Sequence, residues 1–419
     1  MTTPVDLVIK NIGLLATPRG TGPQRGKEQG RIRVIEKAFI ALRGDKIAAV
    51  GEEKDLAQLP VDHDTVYHDA GGCLATPGLV DPHTHLIFGG WRQKELSLKL
   101  KGVSYLDILD QGGGILSTVR HTREASLEEL VQKGAQSLDT MLAYGTTTCE
   151  VKSGYGLNVE DEVKPLRAVA ELDRTHLLDL VPTFMGAHAI PEEYKDRPAD
   201  FITLIKEEMI PRVAEEQLAE FNDVFCEDRV FDVQQSRDIL ETGKRYGLVP
   251  KVHADEITPL GGASLAAQVG AISAEHLIHA TDEGIADMAA AGVIAILLPG
   301  TSLYLDTSFA RARTMIEKGI PLALATDYNP GSCPTNSLQL IINLACIKYK
   351  MTPEEVLTAV TLNAAAAINR SESIGSLEVG KQADIVIWEA PDLDFIAYHF
   401  GVNLVKTVVK GGKIVVAAD

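Results

Sequence analysis

Short apolar runs alternate with helical patterns through the middle of the chain. There are eight such runs, which read CLATPGLV, TTTCEV, LLDLVPTFMG, FNDVFC, VPKVHA, AEHLIHA, VIAILLP and LALATD. Parallel strands that are buried on both faces have this continuous apolar character. Eight strand–helix units over about 300 residues favour a (β/α)8 barrel over a doubly wound sheet. We therefore predict an α/β protein with a (β/α)8 TIM barrel at residues 76–374.

Two of the intervening helices carry clear N-terminal signals. The stretch SLEELVQKGAQSLDTMLAY opens with a capping box that pairs Ser126 with Glu129. The stretch TPEEVLTAVTLNAAAAIN opens with Thr352, has Pro353 at the first helical position and has Glu355 two residues later. Both stretches are predicted to be helices.

The two ends of the chain have a different pattern of apolar and turn-forming residues. Short strands joined by tight turns are indicated by VDLVIKNIGLLATP and AFIALRGDKIAAVGE near one end, and by ADIVIWEA and VKTVVKGGKIVVAA near the other. The turns fall at Gly44-Asp45 and Gly411-Gly412. We predict that residues 1–75 and 375–419 together form one small β-sandwich domain.

Length and composition are those of a globular protein with one large and one small domain. The chain has 419 residues, of which 45% are hydrophobic and 23% charged. No apolar run is long enough to span a membrane, and the start MTTPVDLVIKN has no signal-peptide pattern. The five cysteines are scattered and odd in number, so we expect reduced thiols and a cytoplasmic location.

Charge and glycine pattern exclude two kinds of ligand site. The net charge of -18 and the absence of a basic stripe argue against nucleic acid as a partner. An anionic ligand would need a local basic site on such a chain. The glycine run QGGGILSTV at 111–119 is not followed by the lysine of a phosphate-binding loop, so we predict a flexible loop over the barrel mouth.

Histidines and carboxylates recur where the predicted barrel strands end. In DPHTHLIFGG, His83 and His85 are one residue apart, so an extended backbone points both rings to one side. Alone, such a pair is more often found on a solvated edge. However, the carboxyl ends of barrel strands converge on one site, and the fifth, sixth and eighth strands add His253, His276 and Asp327 there.

The donor types in this set indicate a metal site. Three neutral imidazoles and one carboxylate suit zinc or iron and leave a position for water, whose pKa the metal lowers toward neutrality. Lone residues of the same types have simpler explanations. We predict that His279 is an ordinary loop residue and that Asp232 is a helix cap.

These motifs resemble those of the amidohydrolase superfamily. DPHTH on the first strand, later histidines and an aspartate on the eighth strand are similar to its barrel, and GSLEVGKQADIVIWE is similar to its terminal β domain. More narrowly, PHTHLIFGGWR, GGGILSTV, EVKSGYGL, MGAHAIP, KVHADE and ATDYNPGS together resemble the imidazolonepropionase family over nearly the whole chain.

The resemblance implies a reaction and a set of site residues. It implies hydrolysis of the cyclic amide of 4-imidazolone-5-propanoate to N-formimino-L-glutamate, the third step of L-histidine degradation, by a homodimer with one zinc or iron ion per subunit. It implies metal ligation by His83, His85, His253 and Asp327; substrate binding by Arg92, Tyr155, His188, Glu256, Asn329, Gly331 and Ser332; and catalysis by Glu256, His276 and Asp327. The planar guanidinium of arginine can form two parallel hydrogen bonds with the carboxylate of the propanoate tail, which supports substrate binding by Arg92.

Three alternatives stay open from the sequence. Binuclear members of the superfamily use a bridging group, often a modified lysine, and Cys226, Glu227 and Lys152 lie nearest to that position. We find no clear bridging lysine and predict one metal. A cytosine-type deaminase would share the histidines and the final aspartate, but a neutral base needs no guanidinium partner. A non-catalytic scaffold should have lost ligands, and all are present.

Overall fold

The computed structural model describes residues 3–103 and 112–417. Its strands are β1 Leu7–Thr17, β2 Arg33–Arg43, β3 Lys46–Glu52, β4 Val66–Asp69, β5 Leu74–Pro77, β6 Leu79–Asp81, β7 Thr146–Lys152, β8 Asp179–Ala187, β9 Phe221–Cys226, β10 Val249–Ala254, β11 Ser273–His276, β12 Ile294–Leu297, β13 Leu322–Leu324, β14 Ile385–Trp388, β15 Val405–Lys410 and β16 Lys413–Ala417.

The helices mostly follow the barrel strands. They are α1 Gln93–Leu100, α2 Ile115–Glu124, α3 Leu127–Ala143, α4 Val159–Thr175, α5 Pro198–Leu204, α6 Ile210–Glu215, α7 Val233–Arg245, α8 Gly262–Val269, α9 Asp282–Ala291, α10 Pro299–Tyr304, α11 Ala312–Glu317, α12 Leu338–Leu344, α13 Pro353–Ala359, α14 Leu362–Ala367 and α15 Leu393–Tyr398. Short 3-10 segments lie at Gly26–Gly30, Glu53–Gln58 and Glu192–Tyr194, and π-helical turns at Ile205–Met209 and Ala345–Tyr349.

The strands β6 to β13 form a parallel eight-stranded barrel in sequence order. Each of the eight apolar runs overlaps one of these strands, so the predicted (β/α)8 barrel is confirmed. The first and last strands meet just past their carboxyl ends, where Thr84 forms a parallel bridge with Tyr328. There the backbone amide of Asp327 donates to the carbonyl of His83 at 3.1 Å. The closure of the barrel thus fixes two predicted metal ligands side by side.

The predicted N-terminal caps of the helices are present. Ser126 and Glu129 form a capping box at the start of α3, and Asp232 caps α7 in the same way. Thr352 and Glu355 form the capping box of α13. A helical pattern that continues through residue 369 is divided into α13 and α14, because the backbone leaves the helical region between them.

The expected loop at 111–119 is only partly right. Gln111 lies outside the described residues. From Ile115 onward the chain is helix α2, so the prediction of a loop is wrong there. Gly112 and Gly114 have φ values of 80° and 74°, which lets the chain turn before the helix starts. The helix then buries Thr118, Val119 and Thr122, a one-sided pattern that the glycine run hides in the sequence.

The two ends of the chain share one mixed sheet, which confirms the small β domain. Its order is β16-β15-β14-β5-β1-β2-β3, and β4 also pairs with β1. The N- and C-terminal segments meet where β14 pairs antiparallel with β5. The indole of Trp388 in β14 donates to the hydroxyl of Thr76 in β5 at 2.8 Å. The division of the chain at residues 75 and 374 stays a prediction.

Two properties of the described chain bear on its surroundings. All five cysteines are free thiols, as predicted. Within residues 3–103 and 112–417, no helix combines the length and the apolar character that crossing a membrane requires. The cytoplasmic location stays a prediction.

Candidate metal centre and active site

His83 and His85 follow β6 and point into the barrel mouth. Both side chains are buried, and their Nε2 atoms lie 3.3 and 3.7 Å from Oδ1 of Asp327. The alternation of an extended backbone puts both rings on the same side, as the spacing predicts. The carbonyl of Tyr328 accepts from the amide of His85 at 2.9 Å, which anchors the segment to the last strand.

His253 brings a third imidazole to the same point from β10. Its Nε2 lies 3.4 Å from Nε2 of His85, and its ring centre lies 4.6 Å from that of His83. Burial lowers the pKa of all three histidines, so the rings are neutral and can offer lone pairs. Neither ring nitrogen of His83 has a hydrogen-bond partner among the described residues. Buried lone pairs that face one another in this way fit a divalent metal ion.

Asp327 completes this set from the end of β13. Its backbone is in the left-handed region, with φ 54°, a conformation that a non-glycine residue adopts at a cost of about 1–3 kcal/mol. The hydroxyl of Thr301 donates to Oδ2 at 2.6 Å, so Oδ1 is the oxygen that faces His83 and His85. Burial raises the pKa of Asp327 to about 7. We refer to His83, His85, His253 and Asp327 as the ligand cluster.

His276 and Glu256 lie beside the ligand cluster. His276, with φ 67°, ends β11, and its ring centre lies 5.2 Å from that of His253. Its Nδ1 is 3.6 Å from Oε1 of Glu256. Burial raises the pKa of Glu256 to about 8, so this carboxyl holds a proton at neutral pH. The pair therefore places a proton donor next to an imidazole.

Tyr155 and His188 lie next to His85. The ring of His188 stacks on that of His85 at 4.8 Å with 19° between the planes, and the ring of Tyr155 lies 5.3 Å from His188. The Nδ1 atom of His188 is 3.1 Å from the carbonyl of Gly154, which fits an Nδ1–H donor. Burial lowers the pKa of His188 to about 3, so the ring is neutral.

The loop that carries Tyr155 is held by a buried carboxylate that the sequence reading missed. Glu162 accepts the backbone amides of Gly154, Gly156 and Leu157 at 2.5, 2.8 and 2.8 Å. It lies on the first turn of α4, three residues after the helix begins. No sequence signal separates it from the other acidic residues of that turn.

Arg92 reaches the mouth of the barrel as half of an ion pair. Its Nε and Nη2 atoms donate to Oε1 and Oε2 of Glu95 at 3.0 and 2.8 Å. Glu95 also accepts the amide of Gly114 at 2.8 Å, which ties α1 to the start of α2. A Cβ atom at Gly331 would overlap Nη1 of Arg92, so the glycine makes room for the guanidinium. Sequence reading found Arg92 but missed Glu95, although an acid three residues later in a helical turn is a usable signal.

Asn329 organises the last loop of the site. Its Oδ1 accepts the amides of Gly331 and Ser332 at 2.8 and 2.7 Å, and its Nδ2 donates to the carbonyl of Asp327 at 2.7 Å. These bonds fix the turn that follows Asp327. Asn329 thus links the ligand cluster to the residues that border Arg92.

A cavity of about 440 Å³ opens above this arrangement. Every predicted site residue except His83 lines it, and His83 is fully buried. The lining that sequence reading did not predict is mostly apolar: Ile115, Ala189, Phe225, Val230, Ile257 and Leu305. An apolar wall with a few converging polar groups is typical of a small-molecule site.

Comparison with known proteins agrees with this geometry. The sequence profile of the amidohydrolase family matches residues 74–415. The chain belongs to the amidohydrolase family. Among curated amidohydrolases, it is 56% identical over 414 residues to the imidazolonepropionase of Alkaliphilus metalliredigens and 53% identical over 413 residues to that of Caldanaerobacter subterraneus subsp. tengcongensis; each match covers 98% of both chains. The resemblance drawn from the motifs is confirmed.

Solved structures support the fold. The 5-methylcytosine deaminase from Klebsiella pneumoniae superimposes with a TM-score of 0.74 at 18% identity, over 98% of each chain. An adenosine deaminase from Xanthomonas campestris with bound zinc gives 0.72 at 19% identity, over 99% of this chain and 93% of the other. At these identities the likeness concerns the amidohydrolase fold alone.

The three candidates for a bridging ligand lie in different surroundings in this amidohydrolase. Cys226 is fully buried and does not line the cavity. Glu227 accepts the amides of Ile257 and Thr258 at 2.9 and 3.2 Å and so shapes the loop after β10. The ammonium of Lys152 lies 2.7 Å from Asp223 in a buried ionic network. The single metal stays a prediction.

Proposed function

We propose that this chain hydrolyses the ring amide of 4-imidazolone-5-propanoate, with a bound divalent metal, to give N-formimino-L-glutamate. This reaction is the third step of L-histidine degradation. The observation that carries the proposal is that one cavity is lined both by Arg92 and by three members of the ligand cluster, His85, His253 and Asp327. Curated imidazolonepropionases more than half identical over nearly the whole chain support the same reaction.

We propose that the ligand cluster holds one ion, zinc or iron. When bound, such an ion supplies Lewis acidity and a water molecule of lowered pKa. The neutral imidazoles of His83, His85 and His253 and the carboxylate of Asp327 are the donor types that these ions accept. We also propose a homodimer, as the sequence resemblance implies, and a cytoplasmic location, as the cysteine usage and the missing signal-peptide pattern indicate.

Arg92 gives the site its preference for an anion. A propanoate carboxylate can form charge-assisted hydrogen bonds with a guanidinium. Glu95 accepts hydrogen bonds from two nitrogens of Arg92, which fixes the plane of the guanidinium. Nη1 of Arg92 is then directed at the segment around Gly331. The net charge of -18 repels anions in general, and a fixed local cation offsets that repulsion.

We assign the proton transfers of the reaction to Asp327 and Glu256, and a hydrogen bond to the substrate carbonyl to His276. Water adds its oxygen to the carbonyl carbon, the bond from that carbon to the ring nitrogen breaks, and the nitrogen gains a proton. Asp327, with its pKa raised to about 7, accepts a proton from the attacking water. Glu256, protonated at neutral pH, delivers a proton to the leaving nitrogen. His276 donates to the carbonyl oxygen as negative charge develops on it.

Replacing Arg92 with Met is expected to raise KM for the imidazolone by about 10- to 100-fold, because a charge-assisted contact worth about 1.5–3 kcal/mol is lost. Arg92→Lys should recover only part, since an ammonium cannot copy the planar two-point contact. Gly331→Ala should raise KM in the same direction by displacing the guanidinium. Steady-state kinetics measure KM in each variant, and metal analysis checks that each variant keeps its metal. Arg237→Met, on the exposed side of α7, is the control. An unchanged KM in Arg92→Met removes Arg92 from the substrate site.

The reaction itself is tested by following the ultraviolet absorbance of imidazolone propanoate with the purified protein, beside cytosine in a parallel assay. Turnover of the imidazolone with N-formimino-L-glutamate as product is the expected result. Release of ammonia from cytosine, without imidazolone turnover, would replace the proposal with a deaminase. Inactivity of the metal-loaded protein on both would contradict the proposed substrate.

A further inference from the structure

Beneath the ligand cluster lies a buried network of charged side chains. Glu150 and Lys152 come from β7, Asp223 from β9, Lys251 from β10 and Glu275 from β11, and each is fully buried. The two ammonium groups lie between the three carboxylates. Lys152 is 2.7 Å from Asp223 and 3.0 Å from Glu150, while Lys251 is 2.8 Å from Glu150 and 3.6 Å from Glu275.

This network touches the ligand cluster at one imidazole. Oδ2 of Asp223 lies 3.0 Å from Nδ1 of His253, and Oδ1 accepts the backbone amide of His253 at 3.2 Å. The next carboxylate oxygen, Oε2 of Glu275, is farther from Nδ1 at 3.6 Å. Asp223 therefore lies against the ring of His253 and accepts a hydrogen bond from its backbone amide.

The opposite nitrogen of the same ring faces the cluster. Nε2 of His253 is the atom that lies 3.4 Å from Nε2 of His85. A neutral imidazole carries one proton, so a carboxylate at Nδ1 keeps the proton there and leaves the Nε2 lone pair for a metal. The carboxylate also limits rotation of the ring about its bond to Cβ.

Asp223 is in turn held by a cation of the chain itself. Asp223, His253 and Glu275 form a group close enough to hold an ion, yet the ammonium of Lys152 already lies against Asp223. A buried carboxylate needs such a partner, because an unpaired buried charge costs several kcal/mol. Lys152 thus serves as the counter-charge of Asp223.

We infer that Asp223 is a positioning residue for the metal centre, which fixes the His253 ring with Nε2 directed at the metal. The inference rests on the proposed function, since it requires a metal at the ligand cluster. Asp223 itself touches neither metal nor substrate in this assignment. It acts through His253.

The test compares zinc affinity in two matched variants. Asp223→Asn and Glu150→Gln each remove one buried carboxylate charge beside Lys152 and keep the side-chain shape, but only Asp223 contacts His253. Competition with a chromogenic chelator should show zinc binding about 10- to 100-fold weaker in Asp223→Asn. Glu150→Gln should stay near the wild-type affinity. Equal weakening in both variants, or none in Asp223→Asn, overturns the inference.

A second measurement does not depend on the folding of either variant. In zinc-loaded wild type with 15N-labelled histidine, NMR should place the His253 proton on Nδ1, with the signal assigned by its absence in His253→Ala. A proton on Nε2 of His253 overturns the inference. Failure of the proposed function looks different: the wild type itself would then hold no zinc, or would bind it without turning over the imidazolone.

Discussion

His253→Ala is expected to purify with little metal and to lose nearly all activity, whereas the wild type is expected to carry about one ion per chain. Removal of His253 leaves His83, His85 and Asp327, and it also frees the carboxylate of Asp223. The loss of a direct ligand should exceed the roughly 10- to 100-fold loss in affinity typical of outer groups. Elemental analysis of both proteins, with activity measured on the same samples, checks the result.

His279→Ala is the matched control for this experiment. His279 follows β11 near the same mouth, but it does not line the cavity, and its backbone amide donates to the carbonyl of Asp255 at 2.8 Å. This variant should keep its metal. Two ions per wild-type chain would contradict the mononuclear assignment and bring Lys152, Cys226 and Glu227 back as ligand candidates.

Glu256→Gln should keep its metal and melt near the wild-type temperature, yet lose a hundredfold or more in kcat, roughly the contribution of a placed acid or base. An amide keeps the size of the carboxyl group but cannot deliver a proton. Glu256 lines the cavity without belonging to the ligand cluster, so its loss leaves the metal donors in place. Steady-state kinetics, metal content and thermal melting are measured together. A variant with nearly wild-type kcat would remove Glu256 from the proton path.

His276→Ala is expected to lose a similar factor in kcat through the missing donor to the carbonyl oxygen, an interaction typically worth about 3 kcal/mol. The metal content of this variant tests whether His276 is a metal ligand. His276 lies close enough to His83 and His253 to share an ion with them. Metal retained in His276→Ala supports the role as a donor to substrate, and metal lost would make His276 a direct ligand.

The amino-acid pattern was enough to predict the barrel. Buried parallel strands are continuous apolar runs, and eight such runs between helical stretches leave few other arrangements. Helix starts such as that of Ser126 and Glu129 depend on residues three apart and so can be read locally. The positions of His83, His253 and Asp327 after predicted strands were also readable, because all parallel strands of a barrel end on one face.

Only the tertiary structure decided how the site residues are held. The carboxylates that orient Arg92 and the loop of Tyr155 are Glu95 and Glu162. The spacing of Glu95 from Arg92 is a local signal, whereas nothing in the sequence context of Glu162 distinguishes it from a solvated acid. Their roles depend on the partners that folding brings within hydrogen-bond distance.

The buried network is the clearest case. Lys152 and Asp223 are 71 residues apart, and each lies in a strand that pattern alone describes as apolar. A charged side chain inside a strand is stable only if other strands supply its partners, and the sequence does not state which strand faces which across the barrel. The sequence alone therefore determined the barrel and the candidate metal donors, whereas the packing of β7, β9, β10 and β11 decided which charges surround His253.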